Sequence, residues 1–271
     1  MILNIIKDLW TNKKLIFDLA KNDFKTKYAG SYLGITWAFV QPVITVLIYW
    51  FVFEMALNSG TQATKEGIQV PYLLWLIAGL VPWFYFQDAL NSVTNTLLNY
   101  TYLVKKVVFN ISILPVVRLI SAIFVHLFFI GFMLVIFVCY GYFPGLYALQ
   151  LVYYSFCMMV LVIGIGYVTS AIVVFFRDLT QVVNIVLQVG IWVTPIMWNI
   201  DAMNFPAPLM FILKANPMYY IVAGYRDTML NKVFFWEEPV LTLWFWFVAI
   251  ALFVFGTNVF KRLKVHFADV L

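Results

Sequence analysis

Charge is scarce in this sequence. Of 271 residues, 17 are Lys or Arg and 12 are Asp or Glu, 11% in all, against about 25% in a soluble domain. So little charge excludes an ordinary soluble fold. The excess of five positive charges is too small to read as a nucleic-acid surface, and in an apolar chain the placement of positive residues matters more than their sum. There are two cysteines, Cys139 and Cys157, both in or beside apolar runs. They fit small buried hydrophobes, not a disulfide framework. The two histidines, His126 and His266, lie far apart with no partner at metal-ligand spacing, so they read as packing or interfacial residues and no metal site is expected. No Gly-Lys pair occurs, which excludes a phosphate-binding P-loop. No nucleophile–base order and no H-E-x-x-H is present, so no catalytic residue and no cofactor on this chain are expected. Lysines at 7, 13, 14, 21, 25 and 27 leave no uninterrupted apolar region for a cleavable signal.

What is abundant is apolar: 64% of residues are hydrophobic and 20% aromatic. A helix crosses a bilayer with about 20 mainly apolar residues. Six such spans are predicted, at 33–55, 72–94, 113–140, 149–175, 180–198 and 240–260. Pro195 and several polar residues interrupt the fifth. Helices are required because lipid cannot satisfy free backbone groups. The expected fold is therefore all-α and polytopic, in one domain. With the N-terminus inside, thirteen Lys and Arg residues fall on inner segments and four, Lys65, Lys214, Arg226 and Lys232, on outer ones. That split predicts both termini in the cytoplasm.

Three segments outside the spans carry pattern. Residues 1–27 place Ile2, Ile6, Leu9, Ile16, Ala20 and Phe24 opposite Lys7, Thr11, Lys14, Asp18, Asn22 and Lys25. This is an amphipathic helix for the membrane surface; Lys13 falls on the wrong side, which predicts a break near "TNKK". Segment 103–110 sets Leu103, Val104, Val107, Val108 and Phe109 among Lys105 and Lys106. It could lie on the membrane or dock in a groove of a cytoplasmic partner, and Pro115 favours a new helix just after it. Segment 199–238 is apolar for a loop and reads as short helices dipping into the outer leaflet, broken at Pro206, Pro208 and Pro217.

The spans are not uniformly apolar. "WFYFQDALNSVTN", residues 83–95, holds Gln87, Asp88, Asn91, Ser92, Thr94 and Asn95. Asp88, Asn91 and Asn95 share one helical face, and Gln181, Asn184 and Gln188 repeat the same spacing. In the first span Trp37, Gln41, Thr45 and Tyr49 follow every fourth residue. Aromatics beside amides suit sugar rings. The same polar groups could equally join helix to helix, at about 0.6 kcal/mol per hydrogen bond, but a carboxylate within a span is costly and marks a cavity or a partner.

"YAGSYLGITWAFVQPVITVLIYWFVF" (28–53), "LVKKVVFNISILP" (103–115), "VVFFRDL" (173–179) and "NPMYYIVAGYRDTML" (216–230) together resemble the permease subunits of ABC-2 type polysaccharide exporters. The "SYLG..W....PV.....YW.VF" pattern and the terminal "HFADVL" look most like wall teichoic acid translocation permeases, with O-antigen export permeases second. The resemblance implies a homodimer in the bacterial plasma membrane, working with two copies of a P-loop ATPase that carries the ATP and Mg. It implies that Leu103, Val104, Lys105, Lys106, Val107 and Phe109 belong to a coupling helix seated on that ATPase. It implies a pathway along the first and fifth spans, with Trp37, Gln41, Thr45, Tyr49, Gln181, Asn184 and Gln188 toward the substrate and Asp88, Asn91 and Asn95 in support. The outer re-entrant helices would form an exit gate. The cargo would be a polymer on undecaprenyl diphosphate, delivered from the inner leaflet and moved to the outer side of the membrane. A drug or lipid exporter, a membrane-embedded glycan-modifying enzyme and a channel are the rival expectations.

Overall fold

The computed structural model describes residues 8–27, 32–57, 60–65, 67–105 and 110–271, with the side chain of residue 268 excepted. It is a helical bundle. Helix α1 (Lys13–Lys27) lies along the bundle's flank, α2 (Trp37–Trp50) and α3 (Tyr72–Thr94) follow, and two single turns, α4 (Thr96–Asn99) and α5 (Thr101–Val104), lead to α6 (Leu114–Cys139). Then come α7 (Gln150–Val173), α8 (Leu179–Val193), the short α9 (Ala207–Ala215) and α10 (Pro217–Arg226), the long α11 (Pro239–Lys264) and a last turn, α12 (Phe267–Val270). A small antiparallel hairpin, β1 (Thr61–Ala63) and β2 (Gln69–Pro71), joins α2 to α3.

Five helical stretches are long and apolar enough to cross a membrane: Gly34–Ala56, Tyr72–Thr94, Ile111–Cys139, Gly145–Val173 and Pro239–Lys264. The sixth expected span is shorter as a helix. α8 has 15 residues, about 22 Å at 1.5 Å each, less than the ~30 Å of hydrocarbon. Thr194 turns to extended backbone (ψ 128°), as a residue before proline prefers, and the chain runs on unwound through Pro195 and Ile196. Carbonyls released there need partners at that depth. Arg226 supplies them: Nη1 donates to the Pro195 carbonyl at 2.6 Å and Nη2 to that of Ile196 at 2.7 Å.

α3 is the axis of the bundle. It is apolar nearly all round and buried on almost every side, the pattern of a helix with no lipid face. It packs on α6, α7 and α10, with α2 and α8 more lightly attached. α2 is the least covered, with Ala38 and Val46 its only buried residues. Gly34, at φ +52°, turns the chain into it, as a residue without Cβ can.

The tightest seam joins α7 and α11. Gly164 and Gly256 face each other, and a Cβ on Gly256 would run into the Gly164 carbonyl. Small residues allow this approach where lipid gives helices no hydrophobic drive to associate. Gly256→Ala is therefore expected to cost about 1–3 kcal/mol by overpacking against backbone, whereas Gly131→Ala on α6, with open space around it, is neutral. Thermal unfolding of the detergent-solubilised protein checks this; equal midpoints for the two variants would contradict the seam.

Charges gather at the two ends of the bundle. At one end Asp23 of α1 meets Arg118 of α6 at 2.9 Å and accepts from the Tyr100 hydroxyl at 2.7 Å. At the same end Lys264 Nζ donates to Ser112 Oγ at 3.2 Å. α1 itself is preceded by helical residues 8–11 and a turn at Asn12, and it packs Ile16 and Ala20 on Ile113 and Val117 of the α6 entrance. At the other end Lys65, on the hairpin, lies 3.0 Å from both Asp227 and Glu238. Burial lowers the Lys65 ammonium, but the two carboxylates together hold it above its usual value. Burial raises the Asp227 carboxyl against the pull of Lys65.

Candidate substrate cavity

α2 leans against α3 with a gap between them. The gap is a cavity of about 380 Å³, within the ~300–1,000 Å³ of ligand sites. α2 contributes Trp37, Gln41, Thr45 and Tyr49, all on one face because they recur every four residues. α3 contributes Gln87, Asp88 and Asn91 from its polar stretch. α6 closes the floor with His126 and Phe129, and Ile191 of α8 touches the rim.

The polar stretch of α3 thus divides in two. Its first half faces the cavity. Its second half joins helices: Thr94 Oγ1 lies 2.8 Å from Thr169 Oγ1 on α7, and Thr180 Oγ1 on α8 donates to Asn95 Oδ1 at 2.8 Å. Asn95 is absent from the cavity lining. So is the stripe on α8: Gln181 and Gln188 are exposed and Asn184 is half-buried, beside the seam through which Val183 and Leu187 meet the bundle. The structure therefore brings the α2 and α3 residues together and leaves the α8 residues apart from them.

Asp88 is held by Lys27, the last residue of α1, whose Nζ stands 2.6 Å from Oδ1. The pair is partly exposed, 27% for Lys27 and 39% for Asp88, and its carboxylate partner lines the cavity. Thr45 donates its hydroxyl to the Gln41 carbonyl at 3.0 Å, which leaves it little free capacity. Trp37 is 46% exposed and Gln41 is exposed, so an aromatic face and an amide are open to an occupant. Asn91 Oδ1 meets no partner among the described residues. On the floor, His126 stacks on Tyr85 at 4.6 Å, and its Nε2 lies 3.1 Å from Ser155 Oγ and 3.0 Å from the Tyr225 hydroxyl.

Sequence reasoning missed Lys27 as the partner of Asp88, and Tyr85 and His126 as walls. Lys27 carried the only usable signal, a basic residue just before the first span. Of the segment expected to couple to a partner, Lys106, Val107 and Phe109 lie outside the described residues. Leu103 is half-buried and Lys105 exposed. Val104 is 3% exposed and belongs to the chain's own core, which corrects its expected place on a docking face.

Residues 14–230 match the profile of the ABC-2 type transporter, most of the chain from α1 to the end of α10. The chain belongs to the ABC-2 type transporter family. It is similar along nearly its whole length to two proteins of Klebsiella pneumoniae named O-antigen export system permease protein RfbA. They are 28% and 27% identical, each over 96% of this chain and 97% of the relative. A Myxococcus xanthus protein of the same name is 22% identical over 99% of both chains. The family membership fits the bundle: a multi-pass ABC-2 transporter subunit whose helices enclose a polar cavity.

Proposed function

We propose that this chain is the membrane permease of an ATP-driven exporter that moves a lipid-linked polysaccharide of the O-antigen class out of the cytoplasm. Membership in the ABC-2 family together with the polar, aromatic cavity between α2 and α3 supports the reading. The names of the relatives support an O-antigen polysaccharide as the cargo, ahead of the wall teichoic acid favoured by two short motifs. The end bearing Asp23, Lys27 and Lys264 faces the cytoplasm, as its share of the basic residues requires. α1 lies along that surface. A chain of hydrated sugars cannot cross ~30 Å of hydrocarbon bare, and the cavity offers what it needs: Trp37 as a platform, Gln41 and Asn91 as hydrogen-bonding amides.

Two copies of the permease would enclose the pathway, with two copies of a separate P-loop ATPase binding ATP and Mg. Segment 103–110, with Lys105 and Lys106 at its rim, would contact that ATPase. Affinity purification of the tagged chain from its own cells tests the division of labour. A P-loop ATPase should co-purify in equal amount, and replacing Val107 with aspartate should release it. A chain that exports polysaccharide without any ATPase bound would contradict the reading.

A further inference from the structure

The floor of the cavity between α2 and α3 holds a histidine with one ring nitrogen that the fold leaves unused. We propose that His126 reads the sugar that enters this cavity, its Nδ1–H donating to one hydroxyl oxygen of a neutral sugar unit. The inference rests on the reading of this cavity as the place where cargo passes, and it names a residue that selects there.

The state of the ring follows from its partners. His126, Ser155 and Tyr225 are all buried. Nε2 lies 3.1 Å from Ser155 Oγ and 3.0 Å from the Tyr225 hydroxyl, and the two hydroxyls lie 3.0 Å apart. Each hydroxyl has one hydrogen to give, and among the described residues neither has a partner outside this triangle. One hydroxyl hydrogen fills the contact between Ser155 and Tyr225. The other is left for Nε2, which accepts it. A hydrogen on Nε2 would leave one buried hydroxyl hydrogen with no acceptor. The imidazole therefore carries its hydrogen on Nδ1. That atom is buried and has no partner among the described residues. A buried N–H left unmet is costly.

Its position ties it to the cavity. His126 lines the cavity, whereas Ser155 and Tyr225 do not. Nε2 is thus turned away, toward α7 and α10. Nδ1, next to the Cβ, stays on the side of α6 that faces the cavity through Ala122, Val125 and Phe129. Those residues flank His126 at helical spacing. Tyr85 stacks on the imidazole at 4.6 Å and fixes its plane.

The surroundings favour a neutral sugar. Asp88 is the one charged residue in the described lining and is already paired with Lys27, which leaves no cation there to gather a phosphate. Asn91 Oδ1 is the lining's other buried atom without a partner among the described residues. It is an acceptor, so the two unmet groups together suit hydroxyls, which both accept and donate.

Two amides separate recognition of cargo from support of the fold. Glutamine places its amide near the position of Nε2, so it keeps the contacts to Ser155 and Tyr225 and loses the Nδ1 donor. Asparagine places its amide near Nδ1 and does the reverse. The test is saturation-transfer NMR on the permease–ATPase complex in nanodiscs. Probes are the methyl glycosides of mannose, galactose and rhamnose, their monodeoxy analogues, and glycerol 3-phosphate as the anionic comparator. At least one glycoside should bind saturably. One of its deoxy analogues should bind about tenfold more weakly, the effect of one hydrogen bond left unmade. His126→Gln should erase that difference at an unchanged melting midpoint, and His126→Asn should keep it while melting lower. In wild-type protein with isotope-labelled histidine, the Nδ1 signal of His126 should move when the glycoside binds. Absence of saturable binding by every glycoside, no weaker deoxy analogue, preference for glycerol 3-phosphate, a deoxy difference that survives in His126→Gln, or an unmoved Nδ1 signal would each overturn the role. Any of these in a protein that still exports polysaccharide overturns the role of His126 alone; wild-type protein that exports no polysaccharide would instead remove the functional reading.

Discussion

Trp37→Ala combined with Gln41→Leu is expected to lower polysaccharide export at least about tenfold while the complex assembles normally. Both side chains are open to the cavity, and neither has a hydrogen-bond partner within the chain among the described residues. Removing them costs the fold little. It costs the occupant a ring face and an amide contact, about 1 kcal/mol each, and every 1.4 kcal/mol is tenfold. Export in proteoliposomes, read beside the amount of ATPase retained on the permease, separates the effects. Unchanged export would remove these residues from the pathway; loss of the ATPase would make them structural.

Arg118→Leu is expected to be the most destabilising single change at the end of the bundle that carries Asp23. Asp23 is 4% exposed and its carboxylate rests on Arg118 and the Tyr100 hydroxyl, while the guanidinium lies over the Tyr100 ring at 4.9 Å. Removing the cation leaves a buried carboxylate unpaired, at about 3–5 kcal/mol. That is a large part of the 5–15 kcal/mol that holds a typical protein together. α1 should then come away from α6. Replacing both residues with leucine should recover much of the loss, because no buried charge remains. Thermal midpoints of the two singles and the double check this, and a single variant as stable as wild type would refute it. The Lys27–Asp88 pair is the contrast. It is partly exposed, so Asp88→Leu should cost at most about 1 kcal/mol, a smaller effect than an intramembrane carboxylate suggests from sequence.

The two outcomes show what the sequence makes legible. Long apolar runs define the helices because burial in lipid needs little beyond composition and length, and Pro115 and Pro217 open α6 and α10 where proline has no N–H to lose. The four-residue rhythm of Trp37, Gln41, Thr45 and Tyr49 places one face correctly, since helical geometry is local. Partners are not local. Nothing in residues 83–95 says that Asp88 reaches Lys27 while Asn95 reaches Thr180, or that α8 turns Gln181 and Gln188 away from the cavity. Those choices follow from how helices distant in sequence pack. The premature end of α8 was partly visible in Pro195. The answering role of Arg226, thirty residues on, was not.

The most direct test of the central claim, that polysaccharide passes beside α2, is photo-crosslinking during export. A benzophenone amino acid is placed at position 41, facing the cavity, or at position 185, where Ile185 is exposed on the outer side of α8. The account predicts a polysaccharide adduct at 41 that appears only while ATP is hydrolysed, and none at 185. No adduct at 41, or equal adducts at both positions, would contradict it.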